Sequence, residues 1–434
     1  MHSDTFSRVR GVSLPPTHVK EPTFSPHNST VNYQNSKLLF NSTIFKNGDL
    51  PPTYVENFHA LESVKRMKYK RLEKTDLVIS KLSFGSSSFG GLYGSMQLKV
   101  IEEILETALK SGINFIDTSY WYCQRRSEEV LGKLLVKFPR RSYYIATKVG
   151  RYELDYARNM DYRADKILQS LTSSIKKMKV QYIDVCFLQI HDADFNPSES
   201  IIIHETLPAL EIAKQMGKIR YIGITGYPLE KLKRIVETST TRIDIVQSYC
   251  RGNLHDNSLG QYIPFFEQRD ISVINAGVFG NGLLTKKGPK PWHPAPDLIK
   301  NISSEAVQYC SSKNISIERL ALDYSTTFKG VASCLIGCES VEELQENLAL
   351  IWSPIGLSEK ERRVKDRIMR RFFDKLENTN WEGTNVRRYW KMLKQLGLPN
   401  LATHKFSSME SISSTLTSFS AASSMRSRSL VFRP

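Results

Sequence analysis

Four residues with chemical potential stand at the ends of short apolar runs in this sequence. Asp117 closes the run at Asn114–Ile116, and Tyr122 follows it five positions later within Tyr120-Trp121-Tyr122. Lys148 closes Tyr143–Thr147, and His191 closes Ile183–Ile190. A carboxylate at the mouth of an apolar strand must be paired or used, because a buried unpaired charge is heavily penalised. The other three groups suggest the use. A phenol is a poor acid at neutral pH, but a nearby ammonium stabilises its phenolate and lowers its pKa. Aspartate would hold that ammonium, and an imidazole would hydrogen-bond the oxygen that the phenol protonates. Together they polarise a carbonyl. They supply no electrons, so the set implies a hydride donor, for which a nicotinamide cofactor is the natural candidate.

For these side chains to meet, the elements carrying them must share one edge. Eight strand-like runs appear, at Val78–Phe84, Asn114–Ile116, Tyr143–Thr147, Ile183–Ile190, Ile219–Ile224, Ile243–Gln247, Ile271–Ala276 and Ala332–Ile336. Amphipathic helical patterns separate them, among them Gln97–Lys110, Ser127–Lys137, Ala164–Lys177, Leu207–Met216, Leu229–Thr238 and Ser304–Ser312, with Val341–Ala349 at the end. Alternation over residues 67–355 predicts an α/β fold of the (β/α)8 type, a TIM barrel, in which strand exits line a single mouth. A doubly wound sheet fits less well, because no GxGxxG joins the first strand to its helix.

The motifs around these residues resemble those of the aldo-keto reductase superfamily, and most of all its L-galactose dehydrogenase-like branch. The similarity is carried in order by GINFIDTSYWYCQRRSEEVLG, ATKVGRY, YIDVCFLQIHD, GKIRYIGITGYP and IGCESVEELQEN, spanning about Arg71 to Asn347. The resemblance implies a catalytic tetrad of Asp117, Tyr122, Lys148 and His191, with Tyr122 as general acid in reduction and base in oxidation. It also implies an NAD(P) site at Gly85 and Ser86 after the first strand, Thr225 and Gln247 after the fifth and sixth, and Gly337, Cys338, Glu343, Glu346 and Asn347 around the adenosine. Two departures are visible. Thr225-Gly226 stands where the family usually has Ser-Asn, and Ala276 replaces the common aromatic of the seventh strand. Phosphate recognition needs cationic donors, whereas the last motif offers Glu339 and Glu343, so the reading leans to NAD over NADP.

Outside residues 67–355 the sequence changes character. Residues 1–66 read as a low-complexity extension, 356–405 as a helical or loop segment packing on the barrel, and 406–434 as a Ser-rich basic tail, with disorder expected at both extremes. The net charge of +16 lies in these flanks: residues 1–74 hold 11 Lys/Arg against 6 Asp/Glu and residues 356–434 hold 16 against 7, leaving +2 for the centre. That distribution argues against specific nucleic-acid binding. No apolar run is long enough to span a membrane and no secretory signal opens the chain, so a cytoplasmic location is expected. Six cysteines without a CxxC pair indicate neither a zinc site nor a disulfide framework, and His191-Asp192 lacks companion ligands, so no metal is expected. The substrate is expected to be a small carbonyl compound or sugar, with Tyr93, Trp121, Trp381 and Trp390 as candidates for an aromatic wall. For the two C-terminal tryptophans, helix packing is the competing reading. A different class of answer also stands: a cofactor-binding regulatory or channel-associated subunit of the same fold, docking through its terminal extensions.

Overall fold

The computed structural model describes residues 49–91, 93–153, 159–190 and 199–384, with four further positions at 387, 388, 391 and 395. The terminal stretches read as disordered lie outside these residues. Two short strands, β1 (Tyr69–Arg71) and β2 (Val78–Ser80), pair antiparallel. Eight parallel strands then close a barrel: β3 (Leu82–Gly85), β4 (Phe115–Asp117), β5 (Tyr144–Val149), β6 (Ile183–Ile190), β7 (Ile219–Gly226), β8 (Ile245–Tyr249), β9 (Ser272–Ala276) and β10 (Val331–Ile336), with β10 returning to β3.

Side-chain alternation divides the apolar residues into two cores. Inside the barrel lie Phe115, Tyr144, Ala146, Val185, Phe187, Ile245, Ile274 and Leu335, closed from below by Leu72, Leu77 and Ile79 of the β1–β2 hairpin. Gly223 makes room for this filling, since a Cβ there would come within 2.4 Å of the Phe187 ring. The opposite strand faces pack on the helices. In the helix Leu98–Lys110, for example, Ile101, Ile104, Leu105, Ala108 and Leu109 repeat at helical spacing and are all buried.

The run Val78–Phe84 is two strands rather than one. The chain bends at Lys81, where Ser80 N donates to Asn114 Oδ1 (2.8 Å) and Lys81 N donates to Lys68 O (2.7 Å). These long-range bonds turn the first half into the hairpin that floors the barrel. The helix expected at Ser304–Ser312 begins earlier, at Asp297, and a second helix, Ile317–Thr327, follows it, capped by the Ser316 side chain, which accepts from Arg319 N. Residues 49–66, read above with the extension, pack on the barrel: Thr53 and Val64 are buried, and Asn114 Nδ2 donates to the Thr53 hydroxyl at 2.8 Å. On the C-terminal side, the helix Glu359–Ile368 starts with a Ser358/Glu361 capping box and is tied to helix Ile317–Thr327 by Arg319–Glu361 (2.7 Å) and Lys365–Asp323 (2.6 Å). No helix among the described residues is long and apolar enough to cross a membrane.

Candidate active site

The mouth is built from consecutive strand exits. Asp117 is the last residue of β4 and pairs in register with Gly85 of β3 on one side and Ala146 of β5 on the other. Lys148 points inward from β5 two residues beyond Ala146. Its ammonium is bonded to Asp117 Oδ2 and donates to Thr118 O at 2.9 Å. The pair is almost sealed from solvent, with Asp117 2% and Lys148 4% exposed. Tyr122 donates to the same carboxylate oxygen at 3.4 Å, and its ring centroid lies 4.8 Å from the Lys148 ammonium. Thus Asp117, Tyr122 and Lys148 come together. His191 follows β6 but lies outside the described residues.

A network of small hydroxyls fixes the segment that carries Tyr122. Ser86 Oγ donates to Asp117 O at 2.9 Å, Ser127 Oγ donates to Ser86 O at 2.8 Å, and the Thr118 and Ser127 hydroxyls are 3.1 Å apart. Directly after Tyr122, Cys123, Gln124 and Arg125 are all left-handed (φ 47, 52 and 72°). Gly90 permits this turn, since a Cβ there would lie 2.6 Å from Cys123 Cβ.

The electrostatics differ from the sequence reading in one respect. The expected lowering of the phenol pKa by lysine is absent: burial first, then the Asp117 carboxylate, push Tyr122 well above the usual phenol range. Arg151 opposes this shift, its guanidinium lying 3.7 Å over the Trp121 ring. Burial pulls Lys148 below the usual ammonium range, and Asp117 resists. Both directions favour the uncharged form, as desolvation dictates. Arg151 sits in ATKVGRY, a motif whose evident chemistry is its lysine and which carries no local signal for the arginine.

Of the expected cofactor residues, Thr225 and Gln247 are engaged with each other, and Gln247 also with Asp117. Thr225 Oγ1 lies 2.9 Å from Gln247 Oε1, and Gln247 Nε2 donates to Asp117 Oδ1 at 3.0 Å. Gly85 and Gly337 meet at neighbouring strand exits, where a Cβ on Gly337 would find the Gly85 carbonyl at 3.5 Å. Ser88 Oγ donates to Cys338 O at 3.3 Å, and Asn347 Nδ2 lies 3.6 Å from Cys338 Sγ. Glu346 is exposed on the helix Val341–Trp352. Glu343 accepts from Glu339 N at 2.8 Å and holds Lys287 at 2.8 Å, while Glu339 holds the same ammonium at 3.0 Å. Lys287, in the segment after β9, is a second residue that the sequence reading missed. One buried acceptor is left open to an amide donor: Gln189, two residues beyond the inward-facing Phe187, keeps a buried Oε1 without a partner among the described residues. Trp381 is no part of a wall, being buried in stacks with Tyr227 (5.1 Å) and His255 (5.4 Å). Trp390 lies outside the described residues.

A profile of the aldo/keto reductase family matches residues 81–362. The chain belongs to this family. L-galactose dehydrogenase of Arabidopsis thaliana is 36% identical over 289 residues, covering 66% of this chain and 88% of that protein. D-arabinose 1-dehydrogenase of Saccharomyces cerevisiae is 31% identical over 301 residues, covering 65% and 86%. Among solved structures, the holo form of an aldo-keto reductase from Bacillus halodurans superposes with a TM-score of 0.56 at 26% identity, over 70% of this chain and 96% of that one. This aldo/keto reductase is therefore an NAD(P)-dependent oxidoreductase, similar to the L-galactose dehydrogenase-like branch.

Proposed function

We propose that this aldo/keto reductase is an aldose dehydrogenase, interconverting a sugar lactol or carbonyl and its partner at the other oxidation level, with Tyr122 as general acid and base. One observation carries the reading: a phenol and an ammonium share one buried carboxylate at adjoining strand exits. The Asp117 carboxylate orients both groups. When a carbonyl is reduced, Tyr122 gives its proton to the oxygen as that oxygen gains charge. In oxidation, Tyr122 takes the proton of the substrate hydroxyl, and Lys148 steadies the phenolate. His191, from the exit of β6, would hydrogen-bond the same oxygen. A bound nicotinamide supplies or accepts the hydride. Gly85, Ser86, Gly337 and Cys338 would lie beneath it, Thr225 and Gln247 at its amide, and Glu343, Glu346 and Asn347 at its adenosine end. The sugar class is suggested by the names of the two relatives above.

NAD is the preferred cofactor in this reading. Lys287 reaches the adenosine corner, yet both of its bonds go to Glu339 and Glu343. One positive charge against two negative ones disfavours a 2′-phosphate dianion. The test is an assay of the full chain with L-galactose and D-arabinose against NAD and NADP, following the reduced nicotinamide. Faster turnover of an aldose with NAD is expected. A strong preference for NADP would defeat the cofactor assignment. Cofactor binding without turnover of any sugar or aldehyde would defeat the enzymatic one and favour the regulatory alternative.

A further inference from the structure

Strand β5 delivers two cations to the mouth, three residues apart in sequence. Lys148 turns inward and is committed there, its ammonium bonded to Asp117 Oδ2 and donating to Thr118 O at 2.9 Å. Arg151 leaves the strand exit past Gly150, which is left-handed (φ 99°) and has no room for a side chain, since a Cβ would lie 2.7 Å from the Tyr162 ring. The Arg151 guanidinium then lies 3.7 Å over the ring of Trp121, the neighbour of Tyr122 in the chain.

The segment carrying Arg151 is stitched to the turn carrying Tyr122. Trp121 Nε1 donates to Glu153 O at 3.3 Å and Gln124 Nε2 donates to Tyr152 O at 3.1 Å, while the Tyr120 and Tyr152 rings meet edge to face with centroids 5.0 Å apart. Arg151 is itself bridged to Met160, and Asp161 N donates to Gly150 O at 3.0 Å. The guanidinium is therefore held beside the turn rather than trailing into solvent.

Among the described residues, the groups facing Tyr122 are Asp117 from β4, Lys148 and Arg151 from β5, and two further phenols, Tyr93 and Tyr249, which burial above all pushes upward. Asp117 and Lys148 form a neutral pair. Ionising Tyr122 beside it would set two negative charges against one ammonium, and the charge of Arg151 favours the phenolate that burial and Asp117 oppose. Arginine keeps its charge at any ordinary pH, so it can balance a phenolate without giving or taking a proton. We infer that Arg151 is a positioning residue of the reaction, the second cation that balances the Tyr122 phenolate while the first is spent on Asp117. The inference rests on the acid–base role proposed above for Tyr122 and adds the group that brings its basic form within reach.

The experiment follows kcat/KM for oxidation of D-arabinose against pH, with the better of NAD and NADP, in the wild type, Arg151→Gln, Arg151→Met and Arg151→Lys. Tyr122 nitration is the second readout. Tetranitromethane attacks phenolates and spares phenols, so nitration of Tyr122 at pH 9, located by peptide mapping, reports its ionised fraction without turnover. One pKa unit is a tenfold change in that fraction, so both readouts should fall about five- to tenfold in the two uncharged variants, with the denaturant midpoint unmoved and the alkaline limb displaced upward by about one pH unit. Arg151→Lys should stay within about twofold of the wild type, because it keeps the charge. Equal losses in all three variants, or no loss in the uncharged pair, overturn the assignment while leaving the oxidoreductase reading intact. Should the sugar not turn over with either cofactor, the aldose reading fails by itself and nitration decides alone. Slower nitration in the uncharged pair with recovery in Arg151→Lys upholds the role of Arg151. Equal nitration in all four proteins, or none of Tyr122 in the wild type, overturns it.

Discussion

Two buried aspartates sit at opposite ends of this barrel and show how one residue type can serve two ends. Asp117 closes β4 at the mouth; Asp184 opens β6 at the floor. Each accepts three bonds. Asp184 takes them from Arg140 Nη2 (2.6 Å), Arg220 Nη1 (2.8 Å) and Ile145 N (2.9 Å), and Arg220 also grips Asp76 at 2.5 and 2.6 Å. Asp117 takes them from Lys148, Tyr122 and Gln247. Arginine stays charged at any ordinary pH, so the floor network cannot move a proton. Lysine and tyrosine titrate, and at the mouth both are shifted towards their neutral forms. The floor is a clamp, whereas the mouth is a proton store. This matches the division of labour common in such barrels, with chemistry at the C-terminal face and stability at the N-terminal one.

The widest break in the comparison comes from Tyr122→Phe. Turnover of aldose should fall by at least about a thousandfold, or ~4 kcal/mol of transition-state stabilisation, while the thermal midpoint holds. The wild-type pH profile sharpens the point. Because burial and Asp117 raise the Tyr122 pKa, the proton donor is present throughout the neutral range, so reduction should be flat there. Oxidation needs the phenolate, so its kcat/KM should climb steadily through the alkaline range. A plateau near neutrality would contradict the assigned base.

Next in size is Asp184→Ala at the floor, which leaves two arginines facing each other and Ile145 N without its acceptor. Removing one partner of a buried pair costs several kcal/mol, and partial exposure of Arg140 and Arg220 moderates this. A loss of about 3 kcal/mol in denaturant unfolding is expected, with the KM of the folded enzyme unaltered. A large change in KM at unchanged stability would erase the distinction between the two ends.

Acid should act on the mouth's framework rather than on the arginine clamp. His255 and His293 flank Trp381, and burial first of all lowers them from 6.5 to about 3 and about 4. Above pH 6.5 both are neutral, folded or unfolded, and contribute no pH dependence. Below it the unfolded chain takes up protons that the folded chain refuses, so stability declines from pH 6.5 down to about 4, by about 1.4 kcal/mol per unit for each histidine. A midpoint that stays constant from pH 6.5 to 5 would show that these rings are not held neutral.

Much of this was legible in the sequence, for identifiable reasons. Parallel strands buried on both faces read as runs dominated by apolar residues, so Ile183–Ile190 stood out in spite of Asp184 and Gln189. Once a barrel is inferred, Asp117 and Lys148 must converge, because strand exits share one rim. The bend at Lys81 was illegible, since residues 78–84 are mostly apolar and the bonds that break the run come from Asn114 and Lys68. Lys287 was missed because its carboxylates lie 52 and 56 residues away. The direction of the Tyr122 shift depends on desolvation, a property of the folded surroundings that no local motif encodes. The helix at Ile317–Thr327 did carry a signal, the serine cap at Ser316 before Ile317, Leu320 and Ala321.

The smallest expected effect probes the rim between the mouth's two sides. Loops after the last two strands of such barrels often bind phosphate, and here that corner holds Lys287 between Glu339 and Glu343. Glu343→Gln changes the local balance from one net negative charge to none and releases one of the two grips on the ammonium. Lys287 is 68% exposed, so solvent screens the gain and the effect should be modest. The NADP-to-NAD ratio of kcat/KM should rise about fivefold at low salt, equivalent to ~1 kcal/mol, and the rise should shrink as salt is added. A ratio that does not move, or that moves equally at high salt, would mean that these carboxylates do not face the ribose, and cofactor choice would then have to reside in residues beyond this corner.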